Sequence, residues 1–387
     1  MKEYKYYIYF CVSIVFLTFF GVIMVFSSSA IDNISKNKSP FMSLVSEIVF
    51  VAVGAVAFLL VSRIKTSTFA KYSKHIYIAA ILVCLLVYTP LGVTINGNRN
   101  WINLGFTTVQ PSEFLKLALI LWLSLILSRR VGHLDNLLYI AVPGGVGSAI
   151  GFGVIMLGGD LGTAIILILI IAAAYAFAGT KGKYMFGACT AGFAFLVLAF
   201  VVGSSNRMDR ITAAYGDCLG HEEGFCYQTI HGLYALATGG IFGVGPGASR
   251  EKWNYLPEAN NDFIFSVVGE EFGVLGTLLV LGIFVFLLYS TYRIILQLKS
   301  NYEKIVAGCI ITWIIGQALI NMAIVVRLLP VMGVPLPLIS SGGSSLIATL
   351  IALGVIASFA RSAQGRKQGV STFLNRFRKP KMKVVRN

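Results

Sequence analysis

Three stretches of the sequence hold polar residues that a plan of plain spans and loops does not need, Asn96 to Lys116, Gly203 to Glu271 and Leu328 to Ser345; the first two also carry charges, and the third only hydroxyls among glycines and prolines. Asp262 stands where polar sequence gives way to the apolar run FIFSVVGEEFGVLGTLLVLGIFVF. Its carboxylate has two readings: a helix cap that accepts first-turn amide hydrogens, or a general base. Glu270 and Glu271 lie about two turns further in, where an ionised carboxylate must be paired or line a polar cavity. Eight residues at 1.5 Å rise separate Asp262 from Glu270 by roughly 12 Å, so the two are not the close carboxylate pair of a glycosidase. Glu270 and Glu271 are therefore read as binding, metal or structural groups, with Lys116 and Arg327 as candidate partners.

The segment GGIFGVGPGASREKWNYLPEANNDFIF gathers five glycines, two prolines, Arg250, Lys252, Glu258 and Asp262 just before that run. Glycines permit close backbone approach and anion-binding turns, and Arg250 with Lys252 would supply positive charge for a phosphate. The same segment also reads as an ordinary structural loop. In NGNRNWINLGFTTVQPSEFLKLAL, Pro111 and Ser112 open a helix and Lys116 falls one turn inside it, where it must pair, snorkel or meet a ligand. LLPVMGVPLPLISSGGSSL is a proline-rich re-entry followed by small residues, including Ser340 and Ser341, that let a backbone or an isoprenoid chain approach. A plain helix break reads equally well there.

The elements that must position these residues are membrane helices. The 387-residue chain is 57% hydrophobic and 12% charged, far from a soluble domain, and apolar runs of membrane-spanning length recur along almost all of it. This is an all-α integral membrane protein with about ten spans, near 6–30, 44–62, 76–95, 112–128, 138–157, 160–179, 184–203, 263–292, 305–327 and 343–360. The first run is a retained span and not a cleaved signal. Most of the 31 Lys and Arg residues fall on one side of this plan: Lys2 and Lys5, Arg63 to Lys74, Arg129 and Arg130, Lys181 and Lys183, Arg293 to Lys304, and the tail from Arg361. That side is the cytoplasm and holds both termini. Residues 1–361 form the membrane domain, residues 204–262 a large extracytoplasmic loop between the seventh and eighth spans, and residues 362–387 a basic tail. The tail is suited to anionic lipid headgroups, with no nucleic acid partner expected.

Four of the six cysteines, Cys11, Cys84, Cys189 and Cys309, lie in apolar runs. Cys218 and Cys226 share the extracytoplasmic loop, where an oxidising compartment would let them bridge.

Taken together, NGNRNWINLGFTTVQPSEFLKL, GGDLGTA, YQTIHGLYALATGGIFGVGPGASREKWNYLPEANNDFIFSVVGEEFG and LLPVMGVPLPLISSGGSSL resemble the SEDS family of shape, elongation, division and sporulation proteins, nearest to its FtsW branch. They stand in the family's order and spacing, and the hydrophobic plan agrees over residues 6–361. The resemblance implies a peptidoglycan glycosyltransferase that polymerises lipid II at the outer face of the bacterial cytoplasmic membrane, at the division septum. Its partners would be a class B penicillin-binding protein (an FtsI-like transpeptidase) and other division proteins. Asp262 matches the family's essential aspartate, and Lys116 a lysine thought to contact substrate. The substrate-binding set expected on this basis is Lys116, Arg99, Arg250, Lys252, Trp101, Glu258, Ser340 and Ser341. The chain departs from the family at Asn100, where an Arg usually precedes the loop tryptophan, and at Pro246, His231 and Arg327.

A diphosphate leaves without a protonating acid if cations meet its charge. One base, Asp262, and a cradle of Arg250, Lys252, Lys116 and Arg99 would then suffice for inverting transfer. No metal-ligand set is legible; a divalent cation, Mg or Mn, is left open. The rival reading is a lipid II flippase built on intramembrane Lys116, Asp160, Glu270, Glu271 and Arg327. A bare scaffold that recruits the penicillin-binding protein would leave the polar outer segments unexplained.

Overall fold

The computed structural model describes residues 2–95, 98–105, 107–132, 139, 141–187, 190, 192, 205–216, 218 and 224–363. Long apolar runs become helices because lipid offers no partner for backbone N–H and C=O groups. The helices are α1 (Lys2–Ser35), α2 (Met42–Val61), α3 (Thr66–Leu85), α4 (Pro111–Ser128), α5 (Val146–Leu157), α6 (Leu161–Phe177), α7 (Ser205–Tyr215), α8 (Gly224–Gly239), α9 (Ile264–Ile295), α10 (Asn301–Val325) and α11 (Gly343–Ala363). Among the described residues seven helices are long and apolar enough to cross a membrane, and the two shorter apolar helices, α5 and α6, follow expected spans. The chain is a multi-pass membrane protein. The expected span 184–203 lies mostly outside the described residues, as do residues 364–387 of the tail.

The third span starts earlier than the apolar run suggests, because α3 begins at Thr66 and its first turns carry Lys71 and Lys74. A second difference is a small antiparallel sheet between α3 and α4, with strands β1 (Gly92–Ile95), β2 (Asn98–Asn103) and β3 (Thr108–Val109) in the order β1-β2-β3. Val93 pairs with Trp101 and Ile102 with Val109. Polar residues mask its alternation in the sequence, so this stretch reads there as loop. The segment 204–262 likewise holds two helices, α7 and α8.

At the centre stand α4, α10 and α11, largely buried, with α2 packed on α11, α3 on α4, α6 on α10 and α1 on α9. A helix apolar all round belongs inside, and α4 buries Leu115, Leu119, Ile120 and Leu123 completely. Where α2 meets α11 a small residue sets the spacing: a Cβ on Gly354 would lie 3.0 Å from the Phe58 carbonyl oxygen. From α10 to α11 the chain folds back through residues 326–342, broken by Pro330, Pro335 and Pro337 yet buried at Val331, Val334, Leu336 and Ile339. Irregular backbone survives there because side chains satisfy it: Gln317 Nε2 donates to the Pro335 carbonyl, Asn321 Nδ2 to that of Val334, and the Leu336 N–H donates to Ser340 Oγ.

Candidate functional site

One cavity of about 490 Å³ opens where β2, α7, α8, the loop before α9 and the re-entrant segment meet. Its polar lining is Asn98, Asn100, Gln110, Asp160, Arg210, Gln228, Glu258, Asn261, Asp262 and the hydroxyls of Ser341, Ser344 and Ser345; Trp101 and Phe225 add aromatic faces. Of the expected catalytic and substrate-binding residues, Asp262, Trp101, Glu258 and Ser341 share this wall, together with Asp160 of the flippase reading.

Asp262 sits one residue ahead of the α9 N-cap, Phe263. It is buried, and no hydrogen-bond partner among the described residues meets its Oδ1. The cap reading therefore finds no support: an acceptor that capped the helix would not be left unmatched. The backbone beneath it is held at three successive carbonyls. Ser341 N–H donates to Asn260 O at 2.9 Å, Ser340 Oγ to Asn261 O at 2.6 Å, and Asn321 Nδ2 to Asp262 O at 2.7 Å. Gly333, at φ 71°, passes so close that a Cβ there would lie 3.7 Å from Asp262 Oδ2. Burial pushes the Asp262 carboxyl up to about 7; the charges of Glu258 and Asp160 raise it further and Arg210 pulls it back. A buried acceptor that no described residue engages, on a backbone held at three carbonyls and poised to ionise near neutrality, suits proton abstraction.

Asp160 caps α6, accepting from Thr163 N at 2.9 Å and Thr163 Oγ1 at 2.7 Å, and a third hydrogen bond comes from Gln110 Nε2 at 2.9 Å. Its acceptors are engaged, which fits a wall group better than a base.

The expected cationic cradle is not at this wall. Lys116 is buried in α4, paired with Glu113 at 2.8 Å, bonded to Gln317 Oε1 at 3.2 Å and set 4.6 Å from the Trp313 ring centroid. It faces a void of about 20 Å³ that shares Gln110, Gly333 and Pro335 with the cavity. Lys252 is buried against Glu271 at 2.8 Å and also donates to Ser27 Oγ and the Gly247 carbonyl. Arg250 is exposed; its backbone N–H, with Ser249 Oγ, is bound by the Glu270 carboxylate. Arg99 donates to the carbonyls of Val87 and Thr89. Ser340 lies under the wall, occupied with Leu336 and Asn261. The physical reason is common to both lysines: an ammonium inside a helix bundle needs a carboxylate, so its charge is neutralised within the fold.

Arg210 of α7 is the cation the cavity does present among the described residues. Its Nη1 donates to the Val331 carbonyl at 3.2 Å and its guanidinium lies 4.7 Å from the Phe225 ring centroid. Sequence reading passes it over as one more scattered loop charge; the signal is its place in RMDRITAAY, a short amphipathic segment inside the long loop. Cys218 and Cys226 are joined by a disulfide that ties the residues after α7 to α8. Among the described residues no group of three His, Cys, Asp or Glu side chains is placed to hold a metal ion.

Comparison with known proteins agrees with this layout. The model of a cell cycle protein family, FtsW/RodA/SpoVE, matches residues 8–365. Stage V sporulation protein E of Bacillus subtilis is 37% identical over 88% of this chain and 93% of its own length. A probable peptidoglycan glycosyltransferase FtsW of Trichlorobacter lovleyi is 32% identical over 90% of this chain and 91% of its own. A chain solved within a peptidoglycan synthase complex, described as coordinating polymerization and crosslinking, superposes with TM-score 0.73 at 25% identity, covering 91% of this chain and 98% of that one.

Proposed function

This chain belongs to the FtsW/RodA/SpoVE family of cell cycle proteins, and from that membership we propose that it is a peptidoglycan glycosyltransferase polymerising lipid II at the outer face of the cytoplasmic membrane, at the septum. The observation that carries the reading is the buried Oδ1 of Asp262, which no hydrogen-bond donor among the described residues meets, in a cavity that Arg210 also lines. Asp262 takes the proton from the acceptor sugar's hydroxyl as that oxygen attacks the anomeric carbon, and the bond to the diphosphate breaks with inversion. Arg210, and not Lys252 or Arg250, meets the charge that develops on the departing diphosphate. Trp101, Glu258 and Ser341 contact the sugars. Lys116 acts from beneath the cavity floor through Gln317, which holds the Pro335 carbonyl. A divalent cation, Mg or Mn, would share the diphosphate charge when present; the proton transfer assigned to Asp262 does not depend on it.

The complex that holds the similar solved chain supports a crosslinking partner, a class B penicillin-binding protein. Glycan formation from purified lipid II, with and without that partner, tests the proposal. Polymer from wild type and none from folded Asp262→Asn is expected. Equal polymer from both would remove Asp262 from the chemistry, and transbilayer movement of lipid II without polymer from either would replace synthesis by transport.

A further inference from the structure

Beside the cavity rim, three tyrosines surround one histidine. His231 of α8 lies 4.1 Å from Tyr227, 5.7 Å from Tyr234 and 6.1 Å from Tyr255 between ring centroids, nearly parallel to the last at 14°. Its Nδ1 is bonded to Glu251 Oε2 at 2.6 Å, which ties α8 to the loop before α9 and fixes the ring. Tyr234 and Tyr255 keep about half of their surface open, at 48% and 55%, while His231 and Glu251 beneath them are mostly covered. The loop accepts strain around this point: Asn254 at φ 64° and Glu258 at φ 54° bracket Tyr255 with left-handed backbone, which is costly for a glutamate.

We propose that Tyr227, His231, Tyr234 and Tyr255 form a saccharide-binding surface that carries the growing glycan strand away from Asp262. The proposal rests on the polymerase reading and adds a site to it. Continuity supports it: Phe225 and Gln228 of the same helix, and Pro257 and Glu258 of the same loop, line the cavity, and Gln228 Nε2 closes the rim on the Pro257 carbonyl at 3.2 Å. Size demands such a surface, because about 490 Å³ suits a ligand of a few rings and a polymer must continue outside it. The chemistry fits as well. A pyranose ring offers C–H faces that stack on aromatic π faces, and its hydroxyls and amides bond to phenol, imidazole and carboxylate groups at the edges.

Two measurements on the full-length protein in nanodiscs test this. The first is binding of a peptide-free, lipid-free oligosaccharide of alternating N-acetylglucosamine and N-acetylmuramic acid; the second is strand length from lipid II relative to total sugar polymerised. Tyr255→Ala and His231→Gln should each weaken oligosaccharide binding about fivefold, as expected for loss of one stacking contact, and shorten the strands. Tyr72→Ala, an exposed tyrosine on α3, should change neither. Oligosaccharide binding unchanged in both site variants would overturn the surface whether or not wild type polymerises. Failure of wild-type polymerisation alone would sink the polymerase reading, and the binding arm would still decide this one.

Discussion

Asn321 Nδ2 lies 2.7 Å from the carbonyl oxygen of Asp262 and 2.7 Å from that of Val334, so one buried amide of α10 joins the loop before α9 to the re-entrant segment. Asn321→Leu keeps the volume but leaves both carbonyls without that donor, each at a cost of about 1–3 kcal/mol. Because a shift near 1 Å in a reacting group can cost about a hundredfold, the turnover number should fall at least as much as the thermal midpoint suggests. A variant that melts earlier but turns over at the wild-type rate would show that the amide supports the fold alone.

The acidic limb of the rate profile should lie near pH 7, where Asp262 gives up its proton. Glu258→Gln removes a charge that raises this carboxyl and should move the limb to lower pH; Arg210→Gln removes one that lowers it and should move the limb up. Stability follows the opposite sign. Between the ordinary carboxylate value and about 7 the folded chain holds a proton that the unfolded chain has released, so stability falls as pH rises through that window. Asp262→Asn should therefore raise the thermal midpoint at pH 8 and leave it unchanged at pH 4. Equal midpoint shifts at both pH values would contradict this account.

The helical plan was legible because a lipid-solvated helix writes itself as an apolar run, and α2, α4, α9, α10 and α11 fall close to where those runs lie. Asp262, Glu258, Trp101 and Ser341 were legible as polar residues with no place in such a plan. Partnership was not. Nothing in the sequence shows that Lys252 meets Glu271, 19 positions away, or that Lys116 meets Gln317, 201 positions away. Arg210 escaped for the same reason, and Asp160 was legible only as one of the charges of the flippase reading: the first becomes a wall group only once α7 packs against Val331, the second only once Gln110 reaches it.

In the proposed mechanism Arg210 takes the part expected of the cradle, and that role has a measurable signature. Arg210→Lys keeps the charge but loses the planar fork, so it should raise KM for lipid II more than it lowers turnover, whereas Arg210→Ala should raise KM and lower turnover together. Arg250→Ala, outside the cavity, should leave both within about twofold. A larger loss from Arg250→Ala than from Arg210→Ala would return the diphosphate to the glycine-rich loop.

Lys252 and Glu271 form a buried pair, and its behaviour under substitution separates a structural cation from a substrate cation. Removing one member strands a charge in the bundle and typically costs about 3–5 kcal/mol, whereas replacing both by neutral residues of similar shape costs far less. Lys252→Met should therefore melt well below wild type, and adding Glu271→Gln should recover most of the loss. Ser27 Oγ donates to Glu271 at 2.6 Å and accepts from Lys252 at 2.9 Å. The repaired variant also keeps α1 against α9, because the Ser27 hydroxyl can bond the amide that Glu271→Gln introduces. If Lys252 served the diphosphate, the double variant would be stable but inactive. Because it serves the fold, polymerisation should return together with the melting temperature.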